Sequence, residues 1–234
     1  MGLLGLAIAP GVAICIYIYM KDKYNREPLW LLLVSFILGM FSVVPALIIQ
    51  LFTHTSLENL AGRTFAQVAI FAYLVVGVSE EGSKYLMIRL FAYRRKAFDE
   101  PFDGIVYAVM VGMGFATLEN IGYVLQHGMG TGIVRMFLSV PAHATFAVLM
   151  GYHLGLAKFD AANKKKHLFL AIFWPVVFHG TYDYFLFLGN TILHFAGAFI
   201  SFVVAIQVSK KAIRNHEALS KKTYDNNNNN QSLL

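Results

Sequence analysis

Seven long apolar segments govern what this chain can fold into. They cover residues 3–20, 28–52, 65–93, 103–126, 132–157, 167–188 and 190–209. A helix needs about 20 apolar residues to cross the hydrocarbon core of a bilayer. Lipid offers no partner for backbone N–H and C=O groups, so each segment is predicted to be a helix. The expected fold is therefore all-α: a polytopic membrane protein with about seven, at most eight, transmembrane helices. At Gly189 and Asn190 a tight helical hairpin and one interrupted helix read alike. With 57% hydrophobic and 14% charged residues in 234, no separate soluble domain fits. Residues 1–209 read as one multi-helix transmembrane domain, and residues 210–234, with an asparagine run at 226–230, as a polar, disordered cytoplasmic tail. Cys15 is the only cysteine, which excludes a disulfide framework. Lys21, Asp22 and Lys23 follow the first segment and no basic residue precedes it, so it reads as a retained helix and not a signal peptide.

The net charge of +6 follows the loops. Most of the 19 Lys and Arg fall in alternate connections: Lys21, Lys23 and Arg26; Arg94, Arg95 and Lys96; Lys158 and 164–166; and the stretch from Lys210 to Lys222. The other connections hold only Arg63 and, just inside the fifth segment, Arg135. Basic loops stay on the cytoplasmic side, which places the amino terminus outside and the carboxyl terminus inside. The lipid bilayer, and not nucleic acid, is the partner this charge implies.

The ionisable residues inside the segments carry the functional information. Each charge at mid-membrane costs about 2.5–3.5 kcal/mol, so Glu80, Glu81, Glu119 and Asp183 need partners. Lys84, His143 and His179 are within segments too. Residues three and four apart share a helix face, so Lys84 can meet Glu80 or Glu81, with the smaller angular offset to Glu80, and His179 lies one turn from Asp183. Asn120 follows Glu119. Counting from the basic end of each segment at 1.5 Å per residue puts Glu80, Glu81, Glu119, His143, His179 and Asp183 roughly 18–24 Å deep in a core about 30 Å thick. Four helices thus place their polar groups in one slab in the outer half, as a single polar cavity would require.

Each feature has a structural explanation as well. Glu80-Glu81-x-x-Lys84 can be an ion pair that fixes packing, and His179 with Asp183 a hydrogen bond. Gly151-x-x-x-Gly155 reads as a packing motif. Pro45 and Pro175 read as kinks, and Pro141 as a place where the helix opens near His143. His153 lies near the inner interface, His54, His127, His167 and His216 in loops or tail, and His194 near the outer surface. None of these six is read as a ligand.

The order and spacing of several motifs resemble the PrsW family of membrane proteases. They are Ile8-Ala-Pro-Gly11 with Lys21-Asp22 and Arg26-Glu27-Pro28; Glu80-Glu81-x-x-Lys84; Phe102-Asp103-Gly104-Ile105-Val106-Tyr107; Gly114-Phe-Ala-Thr-Leu-Glu-Asn-Ile121; His143; and His179-Gly180-x-x-Asp183. The resemblance runs from the first helix to the last. It extends to the wider superfamily of CAAX-processing and bacteriocin-processing membrane proteases. It implies a protease of the bacterial cell membrane. The substrate implied is a membrane-anchored anti-sigma factor, cut on its extracytoplasmic side in regulated intramembrane proteolysis that frees a sigma factor.

Peptide hydrolysis needs an activated water, a stabilised oxyanion and a proton for the leaving amine. By the resemblance Glu80 is the base and Glu81 its support. His143 and His179 would orient the water or donate to the oxyanion, with Lys84, Glu119, Asn120 and Asp183 supporting. Glu119 and Asp183 stand where the wider superfamily often has His and Asn. Two routes stay open: a water activated by carboxylate alone, with no cofactor, and one activated by a divalent metal such as Zn2+ held among His143, His179, Glu119 and Asp183. No His-Glu-x-x-His motif is present. The alternative function is a proton- or ion-coupled transporter. A conduction path, however, needs polar groups spread through the membrane, not gathered at one depth.

Overall fold

The computed structural model describes residues 2–54, 64–189 and 191–231. Arg63, Asn190 and the side chains of His54 and residues 226–231 lie outside the described residues. All regular structure among the described residues is helical. The helices are α1 (Leu3–Lys21), α2 (Leu29–Phe41), α3 (Val43–His54), α4 (Phe65–Ile70), a π-helical stretch Phe71–Gly77, α5 (Val78–Leu90), α6 (Pro101–Phe137), α7 (Ser139–Phe159), α8 (Lys164–Phe187) and α9 (Ile192–Gln231). A short 3-10 turn, Ala92–Arg94, follows α5.

Five stretches are long and apolar enough to cross a membrane: Leu3–Lys21, Leu29–Thr53, Phe65–Arg94, Pro101–Phe159 and Ile192–Asp225. The fourth contains two helices, α6 and α7, which meet at Leu138. α8, 24 residues long, is not among the five. His179, Thr181 and Asp183 lower its hydropathy. The bundle's outer surface is rich in large apolar side chains, among them Phe65, Leu74, Ile192 and Leu193. A soluble monomer rarely shows so extensive an apolar surface. Lipid would cover it.

α6 is the central element. From Phe102 to Thr117 every residue is buried, and α1, α2 and α7 pack around it. A side chain on Gly104 would strike the backbone of Gly151 and Gly155, and one on Gly155 would strike the Pro101 carbonyl. The Gly151-x-x-x-Gly155 pair therefore serves close helix packing.

Two interruptions place site residues. Pro45 has no N–H to donate, and its ring clashes with the carbonyl one turn back. The second segment accordingly breaks at Ser42, whose hydroxyl donates to the Gly39 carbonyl at 2.6 Å. The second interruption is Gly128, with φ of +78°, a conformation that suits a residue without Cβ. The chain turns there, so that Gly132 lies against Val124 and Leu6. The expected loop at 127–131 is thus a bend within helical structure. Pro141 lies in the first turn of α7, where a missing N–H costs nothing; it starts a helix and does not open one.

Contacts between the basic connections gather at one end of the bundle, called here the basic end. Asn25 donates to Asp99 at 2.7 Å, Lys158 to the carbonyls of Tyr93 and Arg95, and Lys21 pairs with Glu217 at 3.4 Å.

The region read from sequence as a disordered tail differs in the structure. α9 continues past Ser209 to Gln231. Ser209, Ala212, His216 and Ser220 are buried, and the His216 ring stacks on Tyr152 at 4.4 Å. Their spacing of three and four is a helix face. Its residues are small or polar, so hydropathy gives no sign of it.

Candidate functional site

The site begins in the π-helical stretch before α5. Such wide turns often occur at functional positions. Here the Tyr73 hydroxyl meets Thr181 Oγ1 of α8 at 2.7 Å, and a side chain on Gly180 would collide with the Tyr73 ring. Gly180, beside His179, therefore lets α8 approach the start of α5. Glu80 and Glu81 enter in the first turn of α5.

Glu81 is completely buried. Its Oε1 accepts from Lys84 Nζ and from His179 Nδ1, both at 2.7 Å. The Lys84 ammonium is 3.8 Å from Glu80 Oε2 and 3.2 Å from His143 Nδ1, and it sits over the Phe115 ring at 4.1 Å. Lys84 thus bonds Glu81 and not Glu80, although the smaller angular offset favoured Glu80; a flexible four-carbon stem outweighs that offset. An ammonium has only donors, so His143 Nδ1 accepts from it. His143 Nε2–H then donates to Glu119 Oε2 at 3.0 Å. His179 Nε2 faces Asp183 Oδ2 at 3.2 Å and Glu80 Oε2 at 3.8 Å. The two imidazoles lie edge to face, 5.0 Å between ring centres.

Glu80 is held differently. Its Oε1 accepts from Gln50 Nε2 at 3.1 Å, which the break at Ser42 brings in on α3. Its Oε2 is buried without a hydrogen-bond partner among the described residues. Glu80, Glu119, Arg135, His143, His179 and Asp183 line a cavity of about 500 Å³. Glu81, Lys84 and Asn120 stand behind its wall.

Two participants were not read from sequence as site residues. One is Gln50. The other is Arg135, which the sequence offered only as an outer-loop charge. Sixteen residues of straight helix would separate it from Glu119 by about 24 Å. The turn at Gly128 instead brings Arg135 Nη2 to Glu119 Oε2 at 2.8 Å and Nε to Asn120 Oδ1 at 3.0 Å. The guanidinium lies over Tyr123, 3.9 Å from the ring centre. Asn120 in turn donates to the Ala7 carbonyl of α1 at 3.1 Å. His153, set aside on depth, pairs with His167 at 3.1 Å, away from the cavity.

One ligand atom each from Glu80, His143 and His179 lies within 4.8 Å of the others. A carboxylate and two imidazoles are a donor set that suits zinc and related divalent ions. The unpartnered Glu80 Oε2 supplies an oxygen for such an ion. The residues therefore fit a divalent metal, although an imidazole nitrogen on each histidine would have to leave its present partner. Glu119 and Asp183, expected as ligands in that case, are each bonded to one of the histidines.

Residues 27–208 match the family model described as PrsW family intramembrane metalloprotease. A protein named Protease PrsW from Geobacillus kaustophilus is 40% identical over 184 residues, 79% of each chain. Its namesake from Shouchella clausii is 39% identical over 211 residues, 89% of this chain and 95% of the other. One from Bacillus subtilis is 40% identical over 185 residues, 79% and 82%. No solved structure matches.

Proposed function

This chain belongs to the PrsW family of intramembrane metalloproteases, and from that premise we propose that it cuts a membrane-anchored anti-sigma factor on its extracytoplasmic side. The protein is a multi-pass membrane protease of the cell membrane, so the transporter reading is set aside. We read α8 and the two helices of the fourth apolar stretch as spans. That makes seven crossings, with the basic end in the cytoplasm and the amino terminus outside.

The observation that carries the proposal is the unequal setting of the two glutamates. Glu80 lines the cavity and its buried Oε2 has no hydrogen-bond partner among the described residues, whereas Glu81 is locked behind the wall by Lys84 and His179. Glu80 accepts the proton of the attacking water and returns it to the leaving amine. Gln50 holds the other Glu80 oxygen, Oε1. Glu81 orients His179 through Nδ1, and Glu119 orients His143 through Nε2. Arg135 balances the charge of Glu119 at the cavity edge. His143 and His179 would supply nitrogen ligands for the divalent ion that the family's description implies, beside Glu80, which as a ligand would give up the role of base; that ion would polarise the water and the scissile carbonyl.

A transmembrane helix resists attack because its carbonyls and N–H groups are already paired. The favoured target is an extended stretch just outside the substrate's own helix. The test is co-expression with single-span anti-sigma factors and mass-spectrometric mapping of any new terminus. Wild type should give a cut on the extracytoplasmic flank and Glu80→Ala none. A cut on the cytoplasmic flank would refute both topology and site.

A further inference from the structure

The basic end of the bundle holds a second buried polar cluster, which proteolysis does not use. Asp22 follows α1, Glu27 precedes α2, and Glu100 and Asp103 open α6. Their exposures are 1%, 3%, 6% and 0%. Asp22, Glu27 and Asp103 belong to motifs that the sequence carries far from Glu80. In both aspartates one oxygen is occupied. Asp103 Oδ2 accepts from the N–H groups of Asp99 and Glu100, both at 2.8 Å, and Asp22 Oδ2 from that of Glu27 at 3.1 Å. The Tyr107 hydroxyl donates to Glu27 Oε2. The remaining oxygens, Asp22 Oδ1 and Asp103 Oδ1, are sealed from solvent with no hydrogen-bond partner among the described residues.

The nearby cations bond elsewhere. Lys158 Nζ donates to the Tyr93 and Arg95 carbonyls at 3.0 and 3.2 Å, and Arg26 Nε to the Asp22 backbone oxygen at 3.1 Å. Burial accordingly pushes the Asp22 carboxyl up to about 6 and those of Glu27 and Glu100 up to about 7. One carboxylate oxygen each from Asp22, Glu100 and Asp103 lies within 4.8 Å of the other two. An all-oxygen, all-anionic donor set suits a hard cation, whereas zinc sites draw on nitrogen or sulfur.

We infer that Asp22, Glu100 and Asp103 form a second metal site, for a hard divalent cation of the Mg2+ class, which ties the end of α1 to the start of α6 with Glu27 alongside. The ion supplies the positive charge that the chain withholds from this cluster. The site is structural and separate from the cavity that holds Glu80.

The test uses full-length protein in detergent, stripped of metal and titrated with Mn2+ alone, followed by electron paramagnetic resonance. An oxygen-only site gives bound Mn2+ without nitrogen modulation; Mn2+ on His143 and His179 gives it with nitrogen modulation. Wild type should bind one nitrogen-free Mn2+ per chain, displaced by excess Mg2+. Loss of an outer-shell partner alone weakens metal binding by about 10–100-fold. Asp22→Asn and Asp103→Asn, which remove ligands, should therefore lose at least that much. His179→Ala should keep the nitrogen-free signal. The inference fails if wild type shows no nitrogen-free Mn2+, or if the signal persists at unchanged affinity in the two Asn variants; the carboxyls then share protons instead. The wild-type titration decides the matter even where a variant does not purify.

Discussion

The polar cluster around Glu80 and the acidic cluster around Asp103 are both buried, yet their charges are compensated differently. Around Glu80 the carboxylates meet cations and imidazoles of the same chain. Glu81 has Lys84 and His179, Glu119 has Arg135 and His143, and Asp183 has His179. Around Asp103 four carboxylates converge, and the nearest cations spend their hydrogen bonds on backbone carbonyls. A buried charge is tolerated when paired or bound to a metal, and a carboxylate with neither takes up a proton. The first cluster is therefore completed largely from within the chain, whereas the second is left to a proton or, on the inference above, to an added cation. The first also leaves Glu80, a residue of the cavity lining, with one oxygen that has no hydrogen-bond partner among the described residues.

The comparison breaks most visibly at Glu80. Positioned acid–base groups contribute about 10²–10⁴-fold to rate, and Glu80→Gln should lose at least that much cleavage while the protein still inserts and accumulates. Asp103→Asn should leave cleavage within a few-fold. Cleavage assays on reconstituted protein compare the two.

Next in size is the loss of a partner from the paired cluster. Removing one member of a buried ion pair costs about 3–5 kcal/mol, so Lys84→Met should destabilise the protein strongly. Adding Glu81→Gln should recover much of that stability but not activity, as read by denaturant unfolding in detergent. In the unpaired cluster the sign reverses. Neutralising Asp103 relieves repulsion, so metal-free Asp103→Asn should unfold at a higher temperature than metal-free wild type.

A smaller effect belongs to Arg135. Arg135→Ala leaves Glu119 with His143 alone and should lower kcat by roughly tenfold, the scale of about 1.4 kcal/mol. Arg135→Lys should recover part of it, because a point charge replaces only part of a two-pronged contact. An unchanged kcat in Arg135→Ala would remove it from the site.

The smallest effect is at the carboxyl end. Truncation from Lys221 onward removes residues beyond Ser220, the last buried position among the described residues, and should be nearly silent. Truncation from Lys210 strips His216 from Tyr152 and should lower the melting temperature measurably. Equal effects of the two truncations would contradict the packing of α9.

The sequence by itself determined the helical class and the lengths of the apolar runs, and it singled out Glu80, Glu81, Glu119, His143, His179 and Asp183 as ionisable groups within them. A bilayer dictates both the length of a crossing and the cost of every charge within it. Only the tertiary structure decided which groups meet. Gln50 reaches Glu80 through the break at Ser42, and Arg135 reaches Glu119 through the turn at Gly128. Lys84 chose Glu81 over Glu80. Along the chain Asp22, Glu27 and Asp103 look like ordinary residues at a membrane interface, and the stripe Ser209, Ala212, His216 and Ser220 like a polar tail. Their burial depends on what packs over them from helices distant in sequence, and no local pattern of hydropathy or charge encodes that.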